Sequence, residues 1–112
     1  MKVLLVDDDQ GTRLTLGFVL SRAGFEVQTA SDGVEAIRLL SESPYDWLVT
    51  DGDMVPMNGF DLAVQATKLR TQIKIVMISG VFDKTHTNGY PISHLFTKPV
   101  DAQTLLAYLK TH

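Results

Sequence analysis

The sequence has no cysteine, and that absence excludes disulfides, thiolate nucleophiles and cysteine-based zinc sites, as suits a reducing compartment. Long apolar runs are missing too. The amino-terminal run Val3 to Val6 stops at acids, far short of a signal-peptide core or a membrane span, so a cytoplasmic protein with no membrane partner is expected. There is no excess of positive charge: the formal net charge is -3, which gives no electrostatic reason to expect nucleic acid or an anionic membrane as a direct partner. The chain shows no internal repeat, low-complexity tract or linker. What is present is ordinary for a folded domain. With 112 residues, 45% hydrophobic and 21% charged, the chain can bury one core and has little left for a second, so residues 1–112 are expected to form one domain.

The apolar pattern alternates between strands and helices. Val3 to Val6 is a continuous apolar run suited to a strand buried on both faces, and it ends in Asp7-Asp8-Asp9. Gln10 to Ala23 follows with Leu16, Leu20 and Ala23 at helical spacing, flanked by Leu14 and Phe18 and stopped by Gly24. Phe25 to Ala30 reads as a second strand. Val34, Ile37 and Leu40 predict one face of a second helix that ends near Ser43-Pro44. The third strand is expected over Asp46 to Thr50, a third helix over Phe60 to Arg70 with Leu62, Ala66 and Leu69 as its stripe, and a fourth strand over Lys74 to Ser79. Residues 80–91 hold two glycines, a proline, β-branched residues and an Asn88-Gly89 turn signal, all poor helix material. His94 to Thr97 reads as a fifth strand, and Asp101 to Thr111 as a terminal helix capped by Asp101. The pattern predicts an α/β fold: a doubly wound, five-stranded parallel sheet with helices on both faces and a fourth helix that is short or irregular.

Such a sheet collects chemistry at one end. Ligands in open α/β sheets bind beyond the carboxyl ends of the strands, and there the sequence places Asp7 and Asp8 after strand one, Asp51 and Asp53 after strand three, Ser79 at the end of strand four and Lys98 at the end of strand five. Strands one and three are neighbours in the usual doubly wound order, so the acids share a crevice. Two carboxylates about 5 Å apart repel by roughly 3 kcal/mol at an effective dielectric near 20, a cost that a divalent cation removes. An all-oxygen donor set favours Mg²⁺ over zinc. With that charge neutralised, Asp51 can act as a carboxylate nucleophile toward phosphorus, while Lys98 and the Ser79 hydroxyl can hold phosphoryl oxygens. The histidines, His86, His94 and His112, lie in or near irregular segments and read as surface or packing residues.

Val6-Asp7-Asp8-Asp9, Asp51 with Met54, Met57 and Gly59 at their offsets, Ser79, and Lys98-Pro99 together resemble the receiver domains of two-component response regulators, over nearly the whole chain. The resemblance implies the flavodoxin-like sheet order 2-1-3-4-5, as in chemotaxis regulators. It implies Mg²⁺ or Mn²⁺ held by Asp7, Asp8, Asp51 and the backbone carbonyl of Asp53. Asp51 would accept phosphate from the phosphohistidine of a sensor histidine kinase or phosphotransfer protein in a phosphorelay. Ser79, Gly80 and Lys98 would bind the phosphoryl group, and the bond before Pro99 would be cis. The implied output is a changed contact with a downstream protein target, with a homodimer among the assemblies. Such a domain is no enzyme beyond its own phosphoryl transfer and autodephosphorylation.

Three features depart from the family pattern. Val55 separates Met54 from Pro56, Leu95 stands where the family has Tyr or Phe, and the stretch from Ser79 to Lys98 is short. Leu95 and the irregular stretch open a second reading, a degenerate receiver acting as a phosphate-independent interaction module. Asp51-Gly52-Asp53-Met54-Val55 also resembles the signature of haloacid dehalogenase-like phosphatases, with Asp53 as general acid and base. That family carries its metal-binding acids after the lysine, where this chain has only Asp101. If Asp51 is phosphorylated, Asp53 is expected either to activate water and speed phosphate loss or to repel incoming phosphate and slow its gain.

Overall fold

The computed structural model describes all of residues 1–112. Its elements are β1 (Lys2–Val6), α1 (Gln10–Arg22), β2 (Glu26–Ala30), α2 (Gly33–Glu42), β3 (Trp47–Asp51), α3 (Gly59–Leu69), β4 (Lys74–Ser79), β5 (His94–Thr97) and α4 (Ala102–Thr111). The strands are all parallel and ordered β2-β1-β3-β4-β5. Between β4 and β5, where a fourth crossover helix was expected to be short or irregular, there is a single 3-10 turn at Lys84–Thr87. Asp83 caps it, with His86 bonded back to the cap. No helix is long and apolar enough to cross a membrane.

Each face of the sheet has its own core. Leu4, Val6, Leu48 and Ile75 meet Ala36 and Leu40 of α2 and Leu62, Ala63 and Ala66 of α3. On the other face Val3, Leu5, Trp47, Val49, Val76 and Ile78 meet Leu16 and Leu20 of α1 and Leu105, Leu106 and Leu109 of α4. The central strands are buried on both sides because both faces are covered, which is why they read as continuous apolar runs. A third, smaller cluster of Phe60, Met77 and Leu95, with Phe82 and Ile92 against it, lies beside the 3-10 turn.

Two expected helix faces need correction. Val34 is exposed, and α2 turns Gly33, Ala36 and Leu40 to the sheet. Small residues let that helix approach closely, and they carry little hydrophobic signal in a sequence. Leu69 is likewise exposed at the end of α3, whose buried face is Gly59, Phe60, Leu62, Ala63 and Ala66. The helix ends follow local chemistry. Asp9, Asp32, Asn58 and Asp101 each accept a backbone N–H from the first turn of their helices. Beyond α1 the chain reverses at Gly24, whose φ of 101° lies in the region that disfavours side chains.

Candidate functional site

Parallel register brings the strand ends together. Val6 lies opposite Thr50, Asp51 opposite Ile78, and Ser79 opposite Thr97. The ladder runs one step further, with Gly52 N–H bonded to the Ile78 carbonyl at 3.0 Å and Lys98 N–H to the Ser79 carbonyl at 2.9 Å. Asp7, Asp8, Asp51, Asp53, Ser79 and Lys98 therefore meet at the carboxyl edge of the sheet.

The loop after β3 is held tightly against that edge. Gly59 N–H donates to the Gly52 carbonyl at 3.2 Å, and a Cβ at Gly59 would run into the Asp51 carbonyl oxygen. A Cβ at Gly52 would sit 3.1 Å from Met77 Sδ and 3.2 Å from Ser79 Cβ. The peptides before Pro56 and Pro99 are both cis.

One carboxylate oxygen each from Asp7, Asp8 and Asp51 lies within 4.8 Å of the others. Asp8 is exposed, whereas Asp7 and Asp51 are 1% and 2% exposed. Lys98 Nζ reaches in to 3.1 Å from Asp51 Oδ2 and 3.8 Å from Asp7 Oδ2. Burial pushes the Asp7 pKa from 3.8 up to about 6; the Asp9 N–H, 2.9 Å from Asp7 Oδ1, lowers it, and the Asp51 charge raises it again. Burial acts to lower the Lys98 pKa, but the hydrogen bond and charge of Asp51, followed by the charges of Asp7 and Asp53, hold it above its ordinary value. Three carboxylates face one ammonium here. A hard divalent cation fits this donor set, and Asp7, Asp8 and Asp51 are the side chains that could hold it.

Asp53 does not point into the acidic cluster. Its backbone N–H donates to Asp51 Oδ1 at 3.0 Å, while its carboxylate turns to the end of β4. There Oδ1 accepts the Ser79 hydroxyl at 3.0 Å and Oδ2 the Gly80 N–H at 3.3 Å. Ser79 Oγ in turn accepts the N–H groups of Val81 and Phe82 at 3.1 and 2.9 Å. A side chain at Gly80 would meet only Lys98, at 3.6 Å, an ordinary contact. Leu95, which stands where the family has Tyr or Phe, is buried against Phe60 and Met77. The structure thus brings Asp7, Asp8, Asp51 and Lys98 together and sets Asp53, Ser79 and Gly80 as a second group beside them.

Sequence reasoning did not foresee three supporting features. Arg13 Nη1 donates to the Asp7 carbonyl at 2.6 Å. Thr12 binds the Asp9 carboxylate at 2.7 Å through its hydroxyl and 2.8 Å through its backbone, and lowers its pKa. Phe60, Phe82 and Tyr90 form an aromatic group, with centroids 4.9 Å apart in both Phe60 pairs. The Asp9-x-x-Thr12 spacing was the available signal for the cap; the aromatic group depends on the path of residues 80–91 and had none.

A model of the response regulator receiver domain matches residues 3–110. The transcriptional regulatory protein GlrR of Escherichia coli (strain K12) is 30% identical over 106 residues, covering 92% of this chain and 24% of that protein. This chain thus spans about a quarter of that relative's length. The response regulator receiver protein CpdR of Brucella abortus (strain 2308) is 37% identical over 79 residues, covering 70% of this chain and 66% of that one. Among solved structures, the chemotaxis protein CheY4 of Vibrio cholerae superimposes with a TM-score of 0.90 at 28% identity, covering 97% of this chain and 95% of that one. By its matching model, its relatives and its fold, this chain belongs to the response regulator receiver domain family.

Proposed function

We propose that the protein is a phosphorylation-activated receiver in which Asp51 takes a phosphoryl group from the phosphohistidine of a sensor histidine kinase or phosphotransfer protein. The observation that carries this reading is the buried Asp51 carboxylate at a strand end, with Lys98 Nζ at 3.1 Å and the Asp7 and Asp8 carboxylates within 4.8 Å. An Asp51 oxygen attacks phosphorus in line with the leaving imidazole. The O–P bond forms as the P–N bond breaks, and the imidazole nitrogen keeps the electron pair and takes up a proton. Lys98, which neutralises Asp51 at rest, follows the charge to the phosphoryl oxygens. The Ser79 hydroxyl and Gly80 N–H, at the neighbouring strand end, are further donors. A Mg²⁺ or Mn²⁺ ion on the Asp7, Asp8 and Asp51 carboxylates and the Asp53 backbone carbonyl would supply charge neutralisation for the transfer. Attack of water on phosphorus returns Asp51 and inorganic phosphate, ending the signal. Output follows through residues 80–82, tied to Ser79, and through Leu95, toward a downstream protein.

The phosphatase-like reading requires the Asp53 carboxylate as a free general acid. In the resting protein both of its oxygens are engaged by Ser79 and Gly80, which argues against a free acid there at the moment of transfer. Intact mass spectrometry after incubation with acetyl phosphate, with and without Mg²⁺, tests the proposal. A single Mg²⁺-dependent phosphoryl adduct, absent in Asp51→Asn, is the expected result. No adduct together with no Mg²⁺ binding by calorimetry refutes it and leaves the interaction module.

A further inference from the structure

Asp53 has a charged side chain that could face solvent, yet both of its oxygens are spent on the end of β4. Oδ1 takes the Ser79 hydroxyl at 3.0 Å and Oδ2 the Gly80 N–H at 3.3 Å. These are the two donors that the proposed function gives to the phosphoryl oxygens, and each has one proton to donate. The hydroxyl is not free to turn: Oγ already accepts from Val81 N–H at 3.1 Å and Phe82 N–H at 2.9 Å, so its proton has one direction left, and Asp53 fills it. The Asp53 N–H bonded to Asp51 Oδ1 at 3.0 Å keeps this second carboxylate beside the phosphoacceptor.

We propose that the Asp53 carboxylate is a resident stand-in for the phosphoryl group, filling the anion-recognition donors of Ser79 and Gly80 at rest and leaving them when Asp51 is phosphorylated. The inference rests on the phosphoacceptor reading of Asp51. Its consequence is that phosphorylation exchanges one anion for another at Ser79. Residues 80–82 are already drawn onto Ser79 before the signal arrives, and the new anion binds only as Asp53 withdraws.

The test uses beryllofluoride in Mg²⁺ as the phosphoryl mimic, with binding followed by amide NMR of the labelled protein. Removing a competing charge-assisted hydrogen bond predicts that Asp53→Ala binds the mimic about tenfold tighter than wild type. Asp53→Asn, which can still accept from Ser79, should fall between them. The gain must also depend on Ser79: in a Ser79→Ala background Asp53→Ala should gain no more than about twofold, since most of the competition has gone. Equal or weaker binding by Asp53→Ala overturns the proposal. So does a full gain in the Ser79→Ala background, which would mark simple through-space repulsion. If acetyl phosphate still labels Asp51 in those cases, the stand-in alone has failed. If no variant takes up mimic or phosphate, the phosphoacceptor reading fails with it.

Discussion

Replacing Asp7 by Asn should stabilise the metal-free protein. At an effective dielectric near 20, repulsion from an Asp51 oxygen within 4.8 Å and attraction to Lys98 Nζ at 3.8 Å are each about 4 kcal/mol and nearly cancel. Burial is left as the dominant cost, and it moves Asp7 from 3.8 to about 6. At about 1.4 kcal/mol per pKa unit, holding Asp7 ionised well above its folded value destabilises the fold by about 3 kcal/mol. Because the folded pKa is the higher one, the favourable contribution is complete below 3.8 and is lost as pH rises through about 6. Asn keeps an oxygen to accept the Asp9 N–H, now at 2.9 Å, and removes the charge, its NH₂ group replacing the oxygen 3.8 Å from Lys98 Nζ.

Urea denaturation in EDTA is the assay. Asp7→Asn should exceed wild type by about 2–3 kcal/mol near pH 7.5, and the difference should shrink to under about 1 kcal/mol near pH 4. Adding Mg²⁺ at about a hundred times its dissociation constant should return about 2.7 kcal/mol to wild type and far less to the variant. An Asp7→Asn protein no more stable than wild type near neutrality, or a gain that persists unchanged into acid, refutes the reasoning that burial of this charge sets the penalty.

Lys98→Met should reduce the rate of Asp51 labelling by acetyl phosphate about 10²-fold, the loss typical of one preorganised charge at a developing anion, as read by mass spectrometry over time. Gly59→Ala forces a methyl into the Asp51 carbonyl, so a drop of about 1–3 kcal/mol in urea stability is expected, and an unchanged midpoint would contradict the close approach. Leu48→Ala, fully buried in β3, should cost about 3–5 kcal/mol by the same assay. Burial first, then the Lys84 and His112 charges, holds His94 below 6.5. Its contribution is therefore present above 6.5 and lost as pH falls through the folded value. In an Asp7→Asn background, where the opposing carboxylate is silent, His94→Phe should flatten the loss of stability between about pH 7 and pH 5.

Which parts of this molecule can be read from its sequence follows from where the determining contacts lie. The bounds of β4 at Ser79 and of β5 at Thr97 are written locally, in apolar runs that stop at Gly80 and at Lys98-Pro99. The gathering of Asp7, Asp51 and Lys98 is legible for a related reason: parallel strands with right-handed crossovers deliver their carboxyl ends to one edge whatever the connecting helices contain. The buried face of α2 is not legible, because Gly33 and Ala36 mark it by being small and Val34 points outward despite being apolar. The direction of Asp53 is harder still. From its position after Asp51 and Gly52 it could face the acids, solvent or β4. What decides is that β3 and β4 are hydrogen-bonded neighbours, with Asp51 opposite Ile78, so that the residue past Gly52 lies within reach of a buried hydroxyl at Ser79. A lone carboxylate beside three others lowers its energy by turning to neutral donors rather than to more charge. The sequence specifies the anions; the strand neighbour selects the donors that each one finds.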